Sequence, residues 1–211
     1  MRHPVYLVRH GQSRWNVLRL TQGQTAHPPL TALGREQARS AAERIAADLA
    51  DGSGSAGGRL PARLVTSDLT RAVQTAQIIA ARMQLRVEVD QRWREQHLGR
   101  LQGRSYEHTW AAAEQVDWSD PHAPIHGGES LMQVRERVTE AFEQLDPTGV
   151  SIVVSHGDSI RAVIAHLHGL LPTDAPWVEV GNGAVARYDG RLRWLDDPAV
   201  GAPLPDEPTA G

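Results

Sequence analysis

The sequence predicts an α/β fold, a three-layer sandwich in which a mostly parallel central sheet carries helices on both faces. Three observations point to it. Short apolar runs alternate with longer amphipathic stretches along most of the chain, the pattern of strands crossing over through helices. Two of those runs, at 5–8 and 150–154, end in the same x-His-Gly triplet, Arg9-His10-Gly11 and Ser155-His156-Gly157. And 211 residues, 40% of them hydrophobic, suit one domain with a full core better than two small ones.

The elements follow in order. Val5-Tyr6-Leu7-Val8 reads as a buried strand. Residues 12–30 are polar, carry Pro28-Pro29 and read as a loop. An Ala-, Arg- and Glu-rich stretch over 31–50 predicts a long helix, and the Gly/Ser-rich segment 51–59 a flexible connection. Arg63-Leu64-Val65-Thr66 predicts the next strand. Leu69, Val73, Ala76 and Ala80 then recur at helical spacing within a helix over 68–83. A strand over 85–89 follows. Residues 92–128 are irregular, with short helical pieces near 106–116 and three of the six tryptophans, at 93, 110 and 118. Those rings either shape a pocket or pack a cap. Ser130 caps a helix over 130–145 whose inner face is Leu131, Val134, Val138 and Phe142. After the strand at 150–154 comes a helix over 158–168. Short strands are predicted at 177–180, 184–188 and 192–195. The domain is taken as 1–197, and the Pro-rich residues 198–211 read as a disordered tail.

Composition removes whole classes of chemistry. There is no Cys, which excludes disulfides, thiolate metal sites and cysteine nucleophiles. All 22 basic residues are Arg, so Schiff-base and P-loop lysines are excluded too. A net charge of −3 gives no general attraction to nucleic acid or to an anionic membrane. No apolar run approaches the ~20 residues of a membrane span. The N-terminus lacks the small-residue cleavage site of a signal peptide, so a cytoplasmic location is expected.

Ligands of open α/β sheets bind beyond the carboxyl ends of the strands, where His10 and His156 both fall. Arg9 can grip an anion in a bidentate fork. Gly11 allows close backbone approach and offers an N–H. Two imidazoles and a guanidinium at one sheet edge describe a phosphate site. The sequence has no Asp-x-Asp pair, no Gly-x-Ser-x-Gly elbow and no His-Glu-x-x-His motif, and His166 and His168 point to different helix faces, so no metal site is expected. Histidine remains as the nucleophile, with a phosphohistidine intermediate.

At this point a resemblance becomes specific. Leu7 to Asn16 (LVRHGQSRWN) resembles the signature of the histidine phosphatase superfamily, in its phosphoglycerate mutase-like branch. The similarity continues in order through Leu30 to Ala38, Thr66 to Ala76, Glu95 to Gly103, Gly127 to Ser130, and Val154 to Gly157. The resemblance implies the phosphoglycerate mutase-like sandwich and a metal- and cofactor-independent phosphomonoesterase acting on a small phosphorylated metabolite. It implies His10 as the phosphorylated nucleophile and Glu95 as the proton donor. Arg9, Arg71 and His156 would hold the phosphoryl oxygens, His156 as a cation. Asn16, Gln22, Gly23 and Gly157 would contact the substrate.

Some readings stay open. Without the resemblance, Glu95 is a surface partner of Arg92 or Arg94. Glu129 also reads as a charge on the first turn of the helix that follows it. His27-Pro28-Pro29 departs from the family's shorter turn and leaves that loop's contacts unassigned. Asp158, beside the anion site, disfavours a carboxylate-bearing substrate unless it faces away. The alternatives to a phosphatase are a cofactor-dependent phosphoglycerate mutase and an inactive phosphate-binding module. A mutase needs extra basic groups in a closing insert, and between Glu95 and Gly127 the only arginines are Arg100 and Arg104. The oligomeric state, monomer or homodimer, is not readable from the sequence.

Overall fold

A computed structural model describes residues 3–52 and 62–195. The strands are β1 (Val5–Arg9), β2 (Ala62–Thr66), β3 (Val87–Val89), β4 (Val150–Ser155), β5 (Val185–Tyr188) and β6 (Leu192–Trp194). The α-helices are α1 (Arg14–Val17), α2 (Ala32–Gly52), α3 (Thr70–Met83), α4 (Tyr106–Ala113), α5 (Leu131–Glu143) and α6 (Gly157–Leu167). Single 3₁₀ turns lie at Gln91–Trp93 and Gly99–Leu101. The predicted tail 198–211 and most of the predicted connection 51–59 lie outside the described residues.

The strands form one six-stranded sheet in the order β3-β2-β4-β1-β5-β6. The first four are parallel, and β5 and β6 run antiparallel to their neighbours. Alternation along the central strands sends side chains to two separate cores. Leu7, Val65 and Val153 face one core with Val134, Val138, Ile160 and Val163 from α5 and α6. Tyr6, Val8, Leu64, Ile152 and Val154 face the other, with residues of α2 and α3 such as Ala41, Ile45, Ala72 and Ile79. This is the three-layer sandwich expected from the alternating pattern.

Two elements differ from expectation. Residues 177–180 form no strand. Val178 and Val180 are buried, which accounts for the apolar signal. Their carbonyls, however, accept hydrogen bonds from the Arg161 and Arg9 guanidinium groups instead of from a neighbouring strand. Within the expected 12–30 loop sits the short helix α1. Its N-cap Ser13 and Asn16 form a reciprocal capping box, a signal present in the sequence as Ser-x-x-Asn. Ser130 also caps α5, with Gln133 as its partner.

The loop leaving β1 passes very close to α2. A Cβ on Gly11 would lie 2.1 Å from the Gly34 carbonyl oxygen, and one on Gly34 would lie 2.1 Å from that of Gln12. Alanine ordinarily stabilises a helix interior over glycine by ~1 kcal/mol. Here the contact is backbone on backbone and cannot relax by rotating a side chain. Gly34→Ala is therefore expected to destabilise by ~1–3 kcal/mol. An unchanged or raised urea midpoint would contradict this packing.

Candidate active site

The site is assembled at the carboxyl ends of β1 and β4. These strands are adjacent, with Arg9 opposite Ser155. The His10 N–H continues the ladder by donating to the Ser155 carbonyl at 3.0 Å. The next residues, His10 and His156, therefore stand side by side with ring centroids 5.1 Å apart. His156 is also the N-cap of α6.

Both imidazoles are almost fully enclosed. His10 Nδ1 lies 2.8 Å from the Gly11 carbonyl oxygen, which can only accept, so Nδ1 carries the proton. Nε2 is left with its lone pair, and Arg71 Nε donates towards it at 3.3 Å. Burial, then Arg71 and Arg9, hold His10 well below the usual imidazole range. His156 Nε2 is 2.7 Å from Ser67 Oγ. Burial and then Arg71 hold it well below the imidazole range as well. The protein's own groups thus keep His156 neutral, not cationic as the sequence suggested.

Arg71, on the first turn of α3, is 1% exposed. Its fork is aimed by donation to the Gly23 and Thr25 carbonyls at 2.7 and 3.0 Å. Burial lowers its pKa to about 10, so it remains a cation at neutral pH. Gly23 contributes its carbonyl from a left-handed backbone, φ +46°, packed against Gln102. Arg9 donates to the Val180 carbonyl. Arg9 Nε and His156 Nδ1 are buried donors or acceptors without a protein partner among the described residues. The Gly11 N–H, in contrast, is not free for an anion, since it donates to Thr75 Oγ1 at 3.1 Å. Gly11 serves close backbone packing.

Glu95 does not pair with Arg92 or Arg94. Arg92 is held by Asp90 and Glu140, and Arg94 by Asp68. The Glu95 carboxylate lies instead at the N-terminus of α6. Oε1 accepts N–H bonds from Gln96, Asp158 and Ser159 at 3.0, 3.1 and 3.3 Å. Oε2 receives only a long 3.4 Å contact from the Asp158 N–H. Burial and the Asp158 charge raise the Glu95 pKa, and they outweigh the lowering by the Gln96 N–H, Arg71 and Arg9. Gly157 lies beside this carboxylate, where a Cβ would stand in ordinary contact with Oε2 at 3.7 Å.

The remaining expected contacts are further out. Asn16 Oδ1 is used by Ser13, and its amide points to the Tyr106 hydroxyl at 3.4 Å. Gln22 Oε1 accepts from Ser13 Oγ at 2.7 Å. His27 packs edge-on against Trp15. Trp93 is a core residue, whereas Trp110 and Trp118 are exposed. Glu129 is not a helix-start charge. It forms a two-pronged pair with Arg137 and accepts the His97 N–H. Arg137 in turn donates to the carbonyls of Arg92, Arg94 and Glu95. This clamp fixes the segment that presents Glu95. No motif marked Arg137 in the sequence, because its partners are backbone atoms some 42 to 45 residues away. Among the described residues, no group of three or more His, Asp and Glu is arranged to hold a metal ion, and no helix is long and apolar enough to cross a membrane.

Comparison with known proteins follows the same geometry. The family model of the histidine phosphatase superfamily, branch 1, matches residues 5–192. The glucosyl-3-phosphoglycerate phosphatase of Mycolicibacterium vanbaalenii is 35% identical over 213 residues, covering 94% of this chain and 89% of its own. A Serratia proteamaculans protein named "Probable phosphoglycerate mutase GpmB" is 34% identical over 200 residues, covering 90% and 87%. The solved structure of a mycobacterial glucosyl-3-phosphoglycerate phosphatase in complex with VO3 superposes with a TM-score of 0.72 at 33% identity, covering 92% of this chain and 97% of that one.

The two neutral histidines make stability depend on pH. Below about 6.5 the unfolded chain protonates both rings, while the folded chain resists. Unfolding therefore takes up protons, and stability falls as pH drops from 7 towards 5, by up to ~1.4 kcal/mol per pH unit for each ring. In phosphate-free buffer, His10→Asn is expected to lose close to half of that slope. An identical slope in the variant, measured by urea unfolding across this range, would mean that His10 titrates normally in the folded protein.

Proposed function

The chain belongs to the histidine phosphatase superfamily, and from that premise we propose that it is a phosphomonoesterase working through a phosphohistidine on His10. The observation that carries the reading is the His10 ring itself. Its Nδ1 proton is tied to the Gly11 carbonyl, and its Nε2 lone pair is kept unprotonated between two arginines. That is a nucleophile ready at neutral pH.

In the first step His10 Nε2 attacks phosphorus and the bond to the substrate alcohol breaks. Glu95 gives its proton to the departing oxygen, so the alcohol leaves neutral. Oε2 is the oxygen to hold that proton, since Oε1 is occupied by three N–H donors. Arg9, Arg71 and His156 surround the phosphoryl oxygens. The two arginines supply fixed positive charge, and the neutral His156 ring can add an N–H donor, where charge spreads in transfer. In the second step water attacks the phosphohistidine. Glu95, now a carboxylate, takes the water proton, the P–N bond breaks, and phosphate leaves. Both groups are returned to their starting states. Asn16, Gln22, Gly23 and Gly157 shape this pocket, Gly23 by aiming Arg71.

The relatives carry both phosphatase and mutase names. A mutase reading would require the intermediate to be shielded and a carboxylate-bearing bisphosphate to be held. Against it stands the outward exposure of Arg100 and Arg104. The substrate class is a small phosphomonoester.

Two measurements test this. His10→Ala should abolish turnover, and the phosphoryl group trapped from wild type under neutral quench should sit on His10. Phosphate on any other residue would sink the assignment. For Glu95→Gln, single-turnover phosphorylation of the enzyme should slow by ~10²–10⁴-fold with an alkyl phosphate, whose alkoxide needs a proton. It should slow far less with nitrophenyl phosphate, whose phenolate does not. Equal losses with both would show that Glu95 positions or binds and does not donate.

A further inference from the structure

Beside the candidate active site lies a cavity of about 790 Å3 between α5, α6 and the 170–178 segment. Its walls are largely apolar, with Val134 and Ile164 at its depth and Trp118 and Trp177 at its mouth. Gln96 and Asp158 line it too, and these two residues bracket Glu95. The Glu95 carboxylate accepts the backbone N–H of both. The cavity thus reaches the two residues whose backbone N–H groups hold the Glu95 carboxylate. Between Glu95 and the cavity wall lies Gly157, where a Cβ would come within 3.2 Å of Arg161 Nη1.

The charge at the Asp158 end of the cavity is cancelled. Asp158 and Arg161 form an ion pair at 2.6 Å, and Arg161 Nε is taken by the Val178 carbonyl at 2.7 Å. Arg161 lies flat on the Trp177 indole, 3.7 Å from its centroid. Trp177 is 76% exposed yet held by this stack. Trp118 is 46% exposed and fixed by donation of its indole N–H to the Ala113 carbonyl at 2.9 Å. Two large rings are thus held in place at the mouth of an apolar space, where exposure alone costs stability. A carboxylate or a polyol entering there would lose water and gain no unpaired cation.

We infer that this cavity receives the alcohol portion of the substrate, and that the preferred substrates are phosphomonoesters of alcohols bearing a flat, apolar, aromatic group. The inference rests on the phosphatase reading above and on Glu95 as the donor.

The test compares 2-(biphenyl-4-yl)ethyl phosphate, ethyl phosphate and 3-phosphoglycerate, with nitrophenyl phosphate as a general reporter. The first two release primary alkoxides of the same kind, so a difference between them reports binding of the rings. The biphenyl ester is expected to exceed ethyl phosphate in kcat/KM by ~10-fold or more. In Trp177→Ala, a change at an exposed position that leaves both cores intact, that ratio should fall towards one. Equal values for the two esters in the wild type, preference for 3-phosphoglycerate, or an unchanged ratio in the variant would overturn the inference while leaving a phosphatase. Failure to hydrolyse any of the four, nitrophenyl phosphate included, would overturn the phosphatase reading and the inference with it. A dimer seen by sedimentation in the wild type and lost in Trp177→Ala would give the cavity to a second copy of the chain and overturn it as well.

Discussion

The parallel pairing of β1 with β4, in register from Val5 opposite Ser151 to Arg9 opposite Ser155, is the constraint from which the rest of the site follows. Both strands are buried on both faces, so no solvent-facing polar side enforces their register. Shape does. Tyr6 and Val8 fill one core and Leu7 the other, and the chain leaving β1 is wedged by Gly11 against Gly34. A slip of one residue would exchange the faces. It would also carry His10 past His156 and break the bond from the His10 N–H to Ser155. The imidazole pair is therefore a continuation of the sheet ladder by other means.

Around that pair the protein concentrates positive charge without neutralising it. Arg71 is buried, and its hydrogen bonds go to the Gly23 and Thr25 carbonyls and the His10 ring, not to a carboxylate. Carbonyl dipoles satisfy the donors and leave most of the net charge in place. The imidazoles respond by staying neutral, and the Glu95 carboxyl is raised by its own burial and by Asp158 in spite of the arginines. The two rings and the carboxyl are thus all shifted towards their uncharged forms by the surrounding protein. The same arrangement is unfavourable for the folded chain, as buried charge and forced neutrality generally are.

Much of this was legible in the sequence because it rests on local patterns. The alternation of apolar runs and amphipathic stretches predicts the layers, and the repeated x-His-Gly predicts which strands end at the site. The capping residue Ser130 places the start of α5. The expected strand at 177–180 fails for a physical reason. Burial of Val178 and Val180 writes the same signal as a strand, but what fills their backbone acceptors is arginine from distant elements. The Glu129–Arg137 clamp was hidden likewise, since a guanidinium bonded to main-chain carbonyls leaves no trace in residue type at the other end. The free N–H expected at Gly11 is used by Thr75, a contact across 64 residues that only the fold reveals.

The two margins of the sheet have a bearing on how this chain meets other copies of itself. β3 and β6 are each three residues long, and each carries a charge at its centre, Glu88 paired with Arg63 on one side and Arg193 paired with Asp48 on the other. Short, charged margins are poor templates for a further strand. The apolar ladder formed by β2, β4 and β1 is thereby shut off at both ends from intermolecular β-pairing and the fibrillar growth it can seed. Any lasting association between copies has to be made through helical or loop surfaces, which can close a pair without propagating.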